Sequence, residues 1–385
     1  MKRCAQCGKR KFFLYENTDI CYSCHEANAE AERLSKEKRE RFAEETAIAE
    51  TEKLYQHMRE IYAHTELQFK SCTLADARTA VQAVDEFVAI IEQTPSNPHL
   101  LRRILQDCQS SNYPGKWYHD LFGYITLDSQ NNVYLSDLIA RQRDVQKRAQ
   151  ELIDHSETYS TMISSLTEIG FPILDMSQTE QKSYDVFPLN VTNITARSSV
   201  ARLSSFIVID LETTGLSPVN AEIIQIAAVQ FTNFSTVKCF STFVKPRKGL
   251  NPSAQRVNGI TEQDVETAPY IEQVIPALDE LLGAGLPIVG HNLTFDANFL
   301  LTNGSRAMWE ITRGLKKTKC YDTLELARKT YGWCAEFKLD YLCRDILHII
   351  REDSHKASSD ALATGLLFHD ICRRRIGPAV PDLET

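Results

Sequence analysis

Residues 205–376 predict an α/β domain with a mixed central sheet flanked by helices. The residues before them predict a small paired-cysteine segment, a long charged helix and a helical domain. Three observations carry this reading. In the second half, a run of strand-like segments gives way to alternating strands and helices, the pattern of a mixed sheet. Residues 27–70 contain neither glycine nor proline. Four of the eleven cysteines form two close pairs near the N-terminus.

A chain of 385 residues has room for two or three domains, each able to bury a core. Apolar content of 43% and charged content of 24% are ordinary for a globular protein. No apolar run approaches the ~18 residues of a spanning helix. The opening Met-Lys-Arg-Cys-Ala-Gln-Cys lacks the apolar core of a secretory signal, so a cytoplasmic protein without membrane contact is expected. Eleven cysteines, an odd number, read as metal ligands plus reduced thiols rather than a disulfide framework. A net charge of -8 argues against an indiscriminate nucleic-acid coat.

Taken in order, residues 1–26 carry Cys4-x2-Cys7 and Cys21-x2-Cys24 around a strand-and-turn pattern. Two such knuckles on a hairpin can close a tetrahedral four-thiolate site, so a ribbon holding one structural Zn2+ is expected. Cys21-x-x-Cys24-His25 also matches a haem-attachment string, but that reading leaves the other pair unexplained. A redox CxxC would want a βαβ neighbourhood that is absent. Residues 27–70 predict an exposed charged helical arm, with Glu32/Lys36 and Glu37/Arg41 at i, i+4. Its stripe of Leu54, Met58, Ile61 and Tyr62 is suited to docking on the next segment.

Residues 71–177 predict a helical domain. Leu74, Ala77, Val81, Val84, Val88 and Ile91 repeat at three and four, and Thr94-Pro95-Ser96-Asn97-Pro98 ends that helix. Trp117, Tyr118, Phe122, Tyr124 and Tyr134 surround an expected hairpin at 129–132 and read either as core or as base-stacking rings. A further helix covers 136–167. Residues 178–204, polar and aperiodic, predict a linker, and 377–385 a tail.

The α/β domain opens with the apolar strand Phe206–Ile209. Strands at 223–231 and 237–244 follow, then a helix at 270–282 and a strand at 287–289. Helices near 294–303, 322–331, 338–347 and 357–372 complete it. On a strand, residues i and i+2 share a face, so Asp210 and Glu212 project together from the end of the first strand. Two adjacent carboxylates repel unless a hard divalent cation joins them, which suggests Mg2+ or Mn2+. Alone, an Asp-x-Glu strand end equally describes a solvated terminus. Thr213-Thr214-Gly215 beside it suits a phosphate or sugar.

Asp296, near a helix start, reads alone as a cap. Asp360 adjoins the apolar helix face Ala361, Leu362, Leu366 and Leu367 and needs a partner. His355 lies five residues earlier, about 140° away on a continuous helix, so it is placed in the preceding loop, free to act as a general base.

The order and spacing of Asp210-Leu211-Glu212-Thr213-Thr214-Gly215-Leu216, Gly290-His291-Asn292 with Phe295-Asp296, and His355-Lys356-Ala357 with Asp360-Ala361 resemble the DEDDh family of 3'→5' exonucleases. The likeness is greatest to the epsilon-type proofreading module of bacterial replicative polymerases and covers about 204–376. The tyrosine-using branch would place its tyrosine where Lys356 stands. Asn258-Gly259-Ile260-Thr261 is similar to the family's His-Gly-Ile-Thr loop, with Asn258 in the histidine place.

The resemblance implies an RNase H-like fold and two Mg2+ or Mn2+ ions. It implies that Asp210, Glu212 and Asp360 hold the ion that activates water, and that Asp210 bridges to a second ion near Asp296. His355 would take the water's proton. Thr213, Thr214, Leu216, Asn292 and Phe295 would contact the terminal nucleotide, with Asp322 a structural or sugar-binding candidate. The expected substrate is the 3' end of nucleic acid, DNA before RNA. An exoribonuclease remains open, as does a recruitment protein acting on a protein partner through the ribbon or arm.

Overall fold

The computed structural model describes residues 2–11, 13, 15–16, 18–109, 126–127, 133–166, 189–306, 318–351 and 356–377. They fall into two compact units, Met1–Leu67 with Arg78–Arg148 and Gln68–Ala77 with Ala149–Thr385. The expected helical domain at 71–177 is therefore not a unit of its own.

The first unit begins with a hairpin of β1 (Lys2–Arg3) and β2 (Arg10–Lys11). The helix α1 (Tyr22–Thr65) follows, then α2 (Leu74–Gln93) and α3 (Pro98–Gln109). The exposed part of α1 is laced with ion pairs such as Arg33–Glu30 at 2.7 Å and Arg33–Glu37 at 3.5 Å. From Thr51 onward a stripe turns inward, and Tyr55, Met58, Ile61 and Tyr62 pack with Phe87, Ile91, Leu100 and Ile104. The stripe read from sequence thus docks as expected. β3 (Thr126–Leu127) pairs antiparallel with β4 (Val133–Tyr134), and α4 (Ser136–Ser165) follows. The residues 129–132 and the aromatics Trp117, Tyr118, Phe122 and Tyr124 lie outside the described residues.

In the second unit a one-turn helix, α5 (Val200–Leu203), leads to β5 (Phe206–Thr213), β6 (Ile223–Thr232) and β7 (Ser235–Phe243). Three helices follow: α6 (Pro252–Asn258), α7 (Glu262–Glu266) and α8 (Ile271–Leu282). Next come β8 (Ile288–Gly290), α9 (Leu293–Arg306) and β9 (Cys320–Asp322). The last helices are α10 (Thr323–Thr330), α11 (Leu339–Ile346) and α12 (Ala357–Ile376). The sheet order is β7-β6-β5-β8-β9, antiparallel through β5 and parallel beyond it, so the sheet is mixed.

Period-two alternation sorts β5 between two cores. Ile207, Ile209 and Leu211 join α8 and α9 on one face, while Phe206 and Val208 join α12 on the other. The parity carries Asp210 and Glu212 to the α12 side. Helix α12 lies close on the sheet because Gly365 has no side chain: an added Cβ would stand 2.2 Å from the ring of Phe231, itself stacked on Phe206 at 4.7 Å. Gly365→Ala is therefore expected to cost about 2–3 kcal/mol through overpacking, read as a lowered denaturant midpoint.

The described part of the expected linker is built into this unit. Ile194 is fully buried, Val191 bridges to Cys320, and Arg375 Nε donates to the Ile194 carbonyl at 2.7 Å. Its apolar residues are isolated rather than periodic, so no pattern announces them.

Candidate active site

Among the described residues, ligand atoms of Asp210, Glu212 and Asp360 all lie within 4.8 Å of one another. Two come from the end of β5 and one from the first turn of α12. That helix start is pinned from two sides: the Ala357 N–H donates to Gln225 Oε1 on β6 at 3.1 Å, and the Tyr159 hydroxyl meets Ser359 Oγ at 2.7 Å. A register shift between Glu212 and Thr213 re-aims the strand as it leaves the sheet. The turn beyond is closed by Thr214, whose N–H donates to the Glu222 carbonyl and whose hydroxyl accepts from the Glu222 N–H, both at 2.9 Å.

Burial first, and then the Asp360, Asp296 and Glu212 charges, push Asp210 well above the usual carboxylate range. Burial and Asp360 push Glu212 up to about 8, against a hydrogen bond from the Asn258 side chain. Asp296, buried on α9, is raised by the same desolvation, and its carboxylate accepts the Leu211 N–H at 3.1 Å. A site this short of positive charge suits divalent cations, and its donors are all carboxylate oxygens, the set that favours Mg2+ or Mn2+.

The remaining expected positions divide. Thr213 is buried and its hydroxyl donates to the Gly215 carbonyl at 2.7 Å, while Leu216 is 88% exposed. Asn292 sits at φ 64°, a left-handed conformation that asparagine tolerates. Phe295 packs on Phe299 with ring centres 4.8 Å apart. Asp322 is committed to structure: it caps α10 by accepting from Leu324 N–H at 2.9 Å and also accepts from Asn292 N–H at 3.0 Å. This favours its structural reading over sugar binding. His355 lies outside the described residues.

Three residues of the site carry no role in the sequence reading. Asn258 contacts Glu212 and accepts the Ile260 N–H. Its place in the loop similar to His-Gly-Ile-Thr is the available signal. Arg351, with a side chain 2% exposed, donates to Asp360 at 2.5 Å and also pairs with Asp340. No motif marks it. His291 places Nε2 2.9 Å from the Phe337 carbonyl and Nδ1 3.0 Å from Thr323 Oγ1. A carbonyl only accepts, so Nε2 holds the proton, and burial lowers the ring to about 4, keeping it neutral. Asn292, Arg328, Phe337, Lys338 and Arg351 line a cleft of about 670 Å³ that opens on Asp360.

Residues 207–368 match the family model described as Exonuclease, RNase_T. They form an exonuclease domain. The PolC-type DNA polymerase III of Caldanaerobacter subterraneus subsp. tengcongensis is 35% identical over 175 residues, 46% of this chain and 12% of that protein. The 3'-5' exonuclease DinG of Bacillus subtilis is 35% identical over 170 residues, 44% of this chain and 18% of that protein. The chain thus spans under a fifth of the length of these curated relatives. A solved structure of E. coli exonuclease I with a dA16 oligonucleotide matches at 21% identity over 45% of this chain and 41% of that one, with a TM-score of 0.39. Within the exonuclease domain the three clustered carboxylates stand where β5 and α12 meet. Among the described residues no helix is long and apolar enough to cross a membrane.

At the N-terminus, sulfurs of Cys4, Cys7, Cys21 and Cys24 also lie within 4.8 Å of one another. Tetrahedral Zn–S bonds of about 2.3 Å place sulfurs roughly 3.8 Å apart. Cys7 and Cys21 sulfurs stand 4.0 Å apart. The Cys7 backbone N–H draws the Cys4 thiol down to about 6, and Gly8 at φ 69° turns the first knuckle. The arrangement fits one tetrahedral ion.

Proposed function

We propose that the chain is a metal-dependent 3'→5' exonuclease that releases nucleoside 5'-monophosphates, with DNA favoured over RNA. The observation that carries this is the cluster of Asp210, Glu212 and Asp360, with buried Asp296 beside it, at the rim of an exonuclease domain. Asp210, Glu212 and Asp360 would hold one divalent cation, and Asp210 with Asp296 a second. When bound, the pair supplies positive charge to both the attacking and the leaving oxygen of an in-line displacement.

The chain's own residues do the rest. His355, just before the start of α12, accepts the proton of the attacking water. Asn258 fixes the Glu212 carboxylate, and Arg351 offsets the charge of Asp360. Thr213 and Thr214 hold the turn that presents Leu216 to the terminal base, and Asn292 and Phe295 contact the same nucleotide. The preference for DNA rests on the 35% identity to a DNA polymerase, whose name states its polymer. Incubating matched 5'-labelled DNA and RNA single strands with Mg2+, Mn2+ or no cation tests the reading. A cation-dependent ladder shortening from the 3' end, faster on DNA, is expected and should vanish in His355→Ala. A faster RNA ladder would reverse the substrate assignment.

The N-terminal cysteines hold one structural Zn2+, in keeping with their mutual distances. Elemental analysis should return about one zinc per chain, lost when Cys4 and Cys7 are both replaced by serine.

A further inference from the structure

We infer that the hairpin of the N-terminal ribbon is a nucleic-acid contact in its own right, a basic and aromatic face that takes the phosphates and a base of a single strand. The choice of nucleic acid as the polyanion rests on the exonuclease reading; the face itself does not.

Residues 1–15 hold five cations, Lys2, Arg3, Lys9, Arg10 and Lys11, and no acidic residue. The hairpin register sets Arg3 directly opposite Arg10, and both are exposed. Like charges across a strand pair destabilise it unless something of opposite sign lies over them. Among the described residues none of Lys2, Arg3, Lys9 and Arg10 makes an ion pair. Elsewhere in the same unit arginines are neutralised from within, Arg103 by Glu52 and Arg143 by Asp85. Four thiolates around a zinc ion would carry a formal -2 beneath the hairpin, which eases repulsion at the backbone. Among the described residues the exposed Arg3 and Arg10 guanidinium groups still lack an ion-pair partner.

Aromatic rings follow these charges closely in sequence. Phe13, two residues beyond β2, is 80% exposed, and Tyr22 at the start of α1 is 51% exposed. Tyr15 stacks on His25 at 3.5 Å and meets Tyr22 edge-on at 5.1 Å. An acidic protein would pair with the cations but has no use for exposed rings. A duplex hides the faces of its bases. A single strand offers both spaced phosphates and open bases, the pair of features this surface matches.

The test is fluorescence anisotropy of labelled dT20 on full-length, zinc-loaded protein between 50 and 300 mM salt, in an Asp210→Asn background that stops hydrolysis. Arg3→Ala with Arg10→Ala should weaken binding about 10-fold and lower the salt slope by about 1.4, two phosphate contacts at ~0.7 each. Phe13→Ala should weaken binding about 5-fold or more without changing the slope. Arg3→Lys with Arg10→Lys should keep the slope. Unchanged affinity and slope in the alanine pair, with zinc content retained, would overturn the inference. So would capture of labelled polyglutamate in place of dT20, which would mark the face as one for acidic protein. Hydrolysis of the p-nitrophenyl ester of thymidine 5'-monophosphate, measured in chains that keep the wild-type Asp210, needs no ribbon. It should be equal in the alanine pair and the parent. Its absence from the parent would sink the exonuclease reading and leave the ribbon result standing.

Discussion

Replacing Asp210 by asparagine is expected to abolish hydrolysis and, at the same time, to make the metal-free protein more stable. The carboxylate is desolvated and crowded by Asp360, Asp296 and Glu212, so without a cation folding makes it keep a proton that it gives up in the unfolded chain, which costs stability. Asparagine keeps the shape and removes the charge. A gain of about 1 kcal/mol, roughly 2–4 °C in a unit of this size, should appear in a melt without divalent cations. Catalysis needs that charge, because Asp210 is the residue shared between the two proposed cations. Loss of activity should reach at least about 10³-fold. An inactive variant that also melts lower would mean the residue is merely structural. An active one would remove it from the site.

The second expectation concerns pH. In the folded chain Glu212 loses its proton near 8 rather than at the ordinary 4.5. Between those values the unfolded chain has given up the proton and the folded chain has not. The folded state then binds more protons, so stability falls as pH rises through this window and levels off above it. Asp210 and Asp296 shift in the same direction. His291, lowered to about 4, works oppositely below its ordinary 6.5, so the clean window is from pH 6.5 to 8.5.

Protein dialysed free of Mg2+ and Mn2+ should melt several degrees lower at the upper end of that window than at the lower. Added Mn2+ should raise the melting temperature, and more so at high pH, because the ion binds deprotonated carboxylates. The slope should be shallower in Asp210→Asn. A melting temperature that climbs with pH in the cation-free protein would show that the carboxylates are not held protonated.

Much of this site is legible in the amino-acid sequence. The alternation of β5 is clean, so the shared face of Asp210 and Glu212 follows from period two alone. Helix α12 is equally plain from its apolar face, and Asp360 stands out as a carboxylate with no apolar use. What escapes has no period to show. β9 is only Cys320–Asp322, too short for alternation to register, and without it Asp322 looks free for a ligand when it caps α10. Ile194 and Val191 are single apolar residues in a polar stretch, held by the edge of the sheet and by Arg375. Arg351 meets Asp360 across nine residues of chain, a pairing made by tertiary placement rather than spacing. The arm's inner stripe is visible, but where the compact units divide is not, because two of the three boundaries fall inside continuous helices.

The most direct test of the central claim is the identity of the first product. A single strand bearing a radiolabel only on its 3'-most internucleotide phosphate is incubated with the full chain and Mg2+. Label is expected to leave at once, without a lag, as a nucleoside 5'-monophosphate, and only when a divalent cation is present. Label released first as longer oligonucleotides, as a 3'-monophosphate, or equally well without cation would contradict that claim.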